Sequence, residues 1–80
     1  MDAVVELLLY LDGASRKGRH WAAVYNRLGG RTRAENAIAD GVVAGYVRVN
    51  SDTALGTMVV ITRRGMRAAN RFRRVGFVQR

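Results

Sequence analysis

The sequence predicts a mainly α fold with a small β-hairpin and a helix after the hairpin. Apolar residues recur at helical spacing in three stretches before residue 46. The period then drops to two across Tyr46 to Thr62, and helical spacing returns from about Arg63. The chain has 80 residues, with Lys+Arg 14 against Asp+Glu 6, no cysteine and no proline. One domain, 1–80, is expected, with a core near the lower size limit for independent folding and no disulfide to reinforce it. A hydrophobic fraction of 49% with regular spacing separates the chain from a disordered basic tail. Its formal net charge of +8 calls for a polyanionic partner.

Helix one follows from Val4, Leu7, Leu8 and Leu11, which form one stripe, and it ends near Asp12 and Gly13. Ala14 to Arg19 reads as a short basic connector. Trp21, Val24, Tyr25 and Leu28 mark helix two within His20 to Leu28, with Gly29 suited to its C-terminal cap. A strand of two or three residues around Arg19 to Trp21 is left open. Thr32, Arg33, Ala34 and Glu35 match a capping box, so helix three is expected to start at Thr32 and to end at Gly45. Ala34, Ala37, Ile38, Gly41 and Val42 then face inward, and Thr32, Arg33, Asn36, Asp40 and Val43 face outward.

Tyr46 to Val49 reads as a strand, Asn50 to Gly56 as a polar turn and Thr57 to Thr62 as a β-branched second strand. Thr62 is positioned to cap a fourth helix, whose inner side is expected to hold Met66, Ala69 and Phe72. Val75 to Arg80 reads as a loose tail.

Three helices, the last two joined by a glycine turn and followed by a hairpin, resemble the winged helix-turn-helix DNA-binding family. Leu28-Gly29-Gly30-Arg31-Thr32 is similar to the helix-turn-helix joint. Ile38 through Gly45-Tyr46-Val47 is similar to the end of a recognition helix running into its strand, and Ile61-Thr62-Arg63-Arg64-Gly65 to the junction after the wing. The resemblance covers residues 3 to about 72. Two departures stand out. Gly41 occupies a position where a leucine usually fills the core, a space Trp21 is expected to take, and the turn Asn50 to Gly56 lacks the basic wing tip of many relatives.

The residues argue against catalysis and against bound groups. One histidine, no cysteine and six scattered acids are too few for an ordinary zinc site, so no metal or cofactor is expected. Ser15 or Ser51 with His20 lacks an orienting group for nucleophilic chemistry, and Gly29-Gly30 lacks the lysine and hydroxyl spacing of a phosphate loop. No enzymatic activity and no small-molecule ligand are expected. The apolar run Val4 to Leu11 is interrupted by Glu6 and far too short to span a bilayer, and the acidic first residues do not read as a secretory signal. A cytoplasmic location, with no membrane association, is the expectation.

Charge is segregated along the chain. Residues 1–12 hold Asp2, Glu6 and Asp12 with no base, whereas everything after Asp52 holds arginines and no acid. The resemblance implies that helix three enters the major groove of double-stranded DNA, with Arg33, Asn36 and Thr32 reading bases. Arginine suits guanine O6 and N7, and asparagine suits adenine N6 and N7. Arg31, Arg27, Lys17, Arg19, Arg63 and Arg64 are expected on the phosphate backbone, where contacts give affinity without sequence information. Small domains of this family serve as transcription regulators or as accessory factors of mobile elements. The alternative is a protein-interaction module using the same helix face, to which an outward Val43 is suited. Val5, Leu9, Phe72 and Val75 exceed what one small core needs and are expected at a homodimer interface, with Phe77 and Val78 beside them.

Overall fold

The computed structural model describes residues 2–14 and 16–76. Among them the chain runs α1 (Ala3–Asp12), β1 (Arg19–His20), α2 (Trp21–Leu28), α3 (Arg31–Val43), β2 (Val47–Thr53), β3 (Gly56–Ile61) and α4 (Arg63–Gly76). The fold is mainly helical with a small antiparallel sheet in the order β1-β3-β2. The expected hairpin is β2 and β3. The strand left open at Arg19 forms as well, pairing Arg19 with Val59 and His20 with Met58, so the sheet has three strands rather than two.

Helix α1 is the spine of the domain. The Asp2 carboxylate accepts the Val4 amide at 2.7 Å and caps it, and Leu7, Leu8 and Leu11 are fully buried against α2, α3, α4 and β3. At the start of α2, His20 Nδ1 accepts the Ala22 amide at 3.2 Å, which makes this histidine a helix cap. Gly29 ends α2 at φ +85°, a left-handed conformation that a side chain would strain. Val24 and Leu28 supply the buried side of α2.

The start of α3 departs from expectation. It begins at Arg31, one residue before Thr32, and its cap residue Gly30 makes no side-chain hydrogen bond. No capping box forms, because the Glu35 carboxylate has better partners: Oε2 accepts the Tyr25 hydroxyl at 2.9 Å and Arg31 Nε at 3.2 Å. A charge-assisted pair outcompetes a neutral backbone amide at an exposed helix end. Ala34, Ala37 and Gly41 are buried, while Val42, expected on the inner stripe, is 46% exposed. Gly41 is filled from the sheet, not by Trp21. A Cβ there would sit 3.0 Å from Val47 Cγ2, and Trp21 is 38% exposed on the surface.

Strand β2 continues through much of the expected turn. Val47 faces Ile61, Val49 faces Val59, and the register shifts between Asn50 and Thr53. The reversal itself is Ala54 and Leu55. Side chains close it: Asn50 Oδ1 accepts the Asp52 amide at 3.3 Å, and the Thr53 hydroxyl accepts the Leu55 amide at 3.2 Å while donating to the Gly56 carbonyl.

Helix α4 is tied to the end of α3 by one residue. The Thr62 hydroxyl donates to the Gly45 carbonyl at 2.6 Å and accepts the Gly65 amide at 3.0 Å, and the Thr62 amide donates to the Tyr46 carbonyl at 2.9 Å. Gly65, Ala68 and Ala69 face inward with Phe72 packed on the core, whereas Met66 is 44% exposed and belongs to the outer side. Small residues are required here because a Cβ on Gly65 would strike the Tyr46 carbonyl. The helix extends to Gly76, so Val75 is helical rather than part of a tail, while Phe77, Val78 and Arg80 lie outside the described residues. Helix α4 folds back on α1 within the chain, and Arg73 pairs with Asp12. No helix among the described residues is long and apolar enough to cross a membrane.

Candidate nucleic-acid interface

Helix α3 turns Ala34, Ala37 and Gly41 toward α1 and the sheet, so its outer face is set by the remaining positions. Thr32 and Asn36 are exposed on that face, with Ala39 beside them and Val43 90% exposed a turn further on. Arg33 lies at the flank and is engaged elsewhere. Its Nη1 donates to Glu6 Oε1 at 2.7 Å and to the Leu28 carbonyl at 2.8 Å. The guanidinium therefore locks the start of α3 to α1 and to the open carbonyl end of α2, a favourable place for a cation. Arg33 is thus bonded to α1 and α2, whereas Asn36 is exposed.

On the other flank, Arg31 is occupied by Glu35, with Tyr25 completing the trio. The hydroxyl of Tyr25 and then the Arg31 guanidinium hold the Glu35 carboxyl below its usual value. Partial burial, followed by the Glu35 hydrogen bond, raises the Tyr25 phenol. The trio shares the lining of an apolar groove of about 780 Å³ between α2, α3 and the sheet with Trp21, Ile38, Val42, Val43 and Val49. Trp21 packs edge-on against Tyr25 at 4.7 Å, and His20 stacks on Trp21 at 5.7 Å. Trp21, Val42 and Val49 were legible as apolar letters, but only the sheet packing against α3 brings them onto one wall.

The remaining expected backbone contacts divide into two sets. Arg19 and Arg27 both approach the ring of α1 residue Tyr10, with guanidinium carbons 4.6 Å and 5.4 Å from the ring centroid. The Nε of Arg19 is buried without a hydrogen-bond partner among the described residues. These two join α1, β1 and α2 and are held against an aromatic ring. Lys17, Arg63 and Arg64 are exposed. Lys17 lies with Arg16 and Arg48 along a cleft on the outer face of the sheet, beside Met58 and Val60. Arg63 and Arg64 open a second cleft of about 550 Å³ with Gly45, Tyr46, Thr62, Arg67 and Arg71.

Arg48 was not among the expected contacts, and of the helix-four arginines the sequence favoured Arg63 and Arg64 over Arg67 and Arg71. Arg48 was hidden by its place in an apolar strand. Arg63, Arg67 and Arg71 recur every four residues, a spacing that groups them on one side of a helix.

Of the residues expected at a homodimer interface, Leu9 and Phe72 pack against the chain's own core. Val5 is half-buried and Val75 is 61% exposed. Comparison with family models, with curated proteins and with solved structures finds no match to this chain.

Proposed function

We propose that the chain is a small winged helix domain that binds double-stranded DNA, with α3 as the helix that enters the major groove. The observation that supports this best is the order of the parts. Three helices, the last two joined by a glycine turn, run into the β2-β3 hairpin and then α4, the order in which the resembled family places them. The excess of arginine over acid supplies the affinity for phosphate. In this reading Thr32 and Asn36 meet base edges, and Arg33 sets the pose of α3 from behind. The bound form would act as a transcription regulator or as an accessory factor of a mobile element.

A salt titration of labelled duplex, followed by selection from a random duplex pool, tests the reading. With roughly five phosphates neutralised, log K should fall with log salt at a slope of about −4 to −5. Binding that is micromolar or weaker at low salt would overturn it. The apolar groove beside α3 then favours the second reading, in which a protein partner covers Trp21, Val42 and Val43. The proposed homodimer draws on Val5 and Val75, since Leu9 and Phe72 are occupied within the chain. Sedimentation at micromolar concentration tests that part, and a monomer mass excludes it.

A further inference from the structure

Helix α4 carries more positive charge than its packing requires. Its inner side is Gly65, Ala68, Ala69 and Phe72. At about 100° per residue, Arg63, Arg64, Arg67, Arg71 and Arg74 fall within roughly a 100° arc on the opposite side. Among the described residues none of these five forms an ion pair, whereas Arg73, off the arc, pairs with Asp12. Like charges at Arg63 and Arg67, and again at Arg67 and Arg71, stand one helical turn apart and work against the helix. No acid follows Asp52 in the sequence to relieve them.

The row also has a fixed origin. Thr62 joins the first turn of α4 to Gly45 and Tyr46, so the row starts at the C-terminal end of α3. A Cβ on Gly45 would lie 3.4 Å from Arg64 Cδ, so that side chain runs directly over the turn.

We infer that this arginine row is a backbone anchor that follows the phosphates of one DNA strand beside the groove holding α3. The inference rests on the DNA-binding reading. The row covers eleven residue steps, about 16 Å at 1.5 Å per residue. One strand of duplex carries roughly five phosphates over that length, at about 3.4 Å of axis each. Guanidinium forks match phosphate oxygens in pairs, which suits arginine to a repeating phosphate ligand. Such contacts add affinity equally for every sequence, leaving selection to α3.

The test uses the full chain and two labelled duplexes, one selected and one scrambled, titrated from 0.05 to 1 M salt (about these limits, chosen for the counterion slope). The variant Arg67→Ala/Arg71→Ala changes two exposed side chains, and its thermal melt confirms folding. Two lost phosphate contacts should flatten the slope by about 1.8, so binding falls roughly 60-fold at 0.1 M salt on both duplexes and converges with the parent chain near 1 M. Arg67→Lys/Arg71→Lys, which keeps the charge, should restore most of the slope. A folded alanine variant that binds like the parent chain overturns the anchor and leaves the DNA reading standing. A loss confined to the selected duplex also overturns it, since α4 would then be reading bases. If the parent chain itself binds neither duplex, the DNA reading fails and the anchor fails with it.

Discussion

Arg33→Ala should lower the stability of the fold and leave the selected DNA sequence unchanged. The side chain makes two bonds that differ in worth. Its pair with Glu6 is part-exposed, at 42% and 30% for the two side chains, so it contributes about 0.5 kcal/mol after solvent screening. The bond to the Leu28 carbonyl satisfies an acceptor that the end of α2 leaves open, and is worth about 1 kcal/mol. Together the loss is about 1 to 2 kcal/mol, which for a domain of this size lowers the unfolding midpoint by roughly 6 to 12 °C. A double-mutant cycle with Glu6→Gln isolates the first bond and should return a coupling of about 0.5 kcal/mol. Differential scanning calorimetry supplies the midpoints, and selection from a random duplex pool supplies the sequence preference. An Arg33→Ala protein that melts with the parent chain but selects a different base would refute the reasoning, because the guanidinium would then be reaching the groove.

Other substitutions probe the core, the α4 junction, the acidic range and the groove. Leu8→Ala removes a side chain with no exposure and should cost about 3 to 5 kcal/mol, a large share of a stability on the order of 4 to 12 kcal/mol for 80 residues, so its urea unfolding midpoint should fall well below that of the parent chain. Gly65→Ala gains about 1 kcal/mol of helix propensity but drives a Cβ into the Tyr46 carbonyl and to 2.7 Å from Ile61 Cγ1, so its melt should fall, and a rise would refute the close approach. Since the folded-state pKa of Glu35 is depressed, its contribution is complete above the ordinary value of 4.5 and is lost as pH falls through the lowered value. Glu35→Gln should therefore flatten the stability profile in that acid range and leave its slope near neutrality unaltered, as pH-dependent unfolding will report. Val43→Asp changes a side chain that is 90% exposed and should leave stability within about 0.5 kcal/mol while weakening any ligand of the α3 face, DNA or protein.

The regular elements were legible because periodicity records which side of an element is buried. Leu7, Leu8 and Leu11 are the clearest case, since a helix carrying them has one place to go. The contacts hardest to read are those of side chains with two possible partners. Glu35 fits a capping box in the linear sequence, but Tyr25 stands ten positions earlier and becomes its neighbour only after α2 and α3 meet. Arg33 looks outward on a helical wheel, yet a long side chain at the flank of a helix can turn back toward Glu6, 27 positions away. Arg19 and Arg27 read from the sequence as phosphate contacts, while the Tyr10 ring that both guanidiniums approach lies far from each in sequence. The strand at Arg19 is too short to leave a periodic signal and exists because β3 offers Val59 and Met58 as partners.

Thr62 has a consequence for how the domain can vary. Its hydroxyl and amide bind Gly45, Tyr46 and Gly65, so the angle between α3 and α4 is fixed at the base of the hairpin. The tip, Ala54 and Leu55, is at the far end of β2 and β3 and bears none of that geometry. Insertions at the tip can lengthen the hairpin or add charge to it without retuning how the two helices meet a common ligand, and loop closure makes such growth thermodynamically mild. The hairpin is thus the part of this architecture open to diversification, while the threonine joint at its base stays constant.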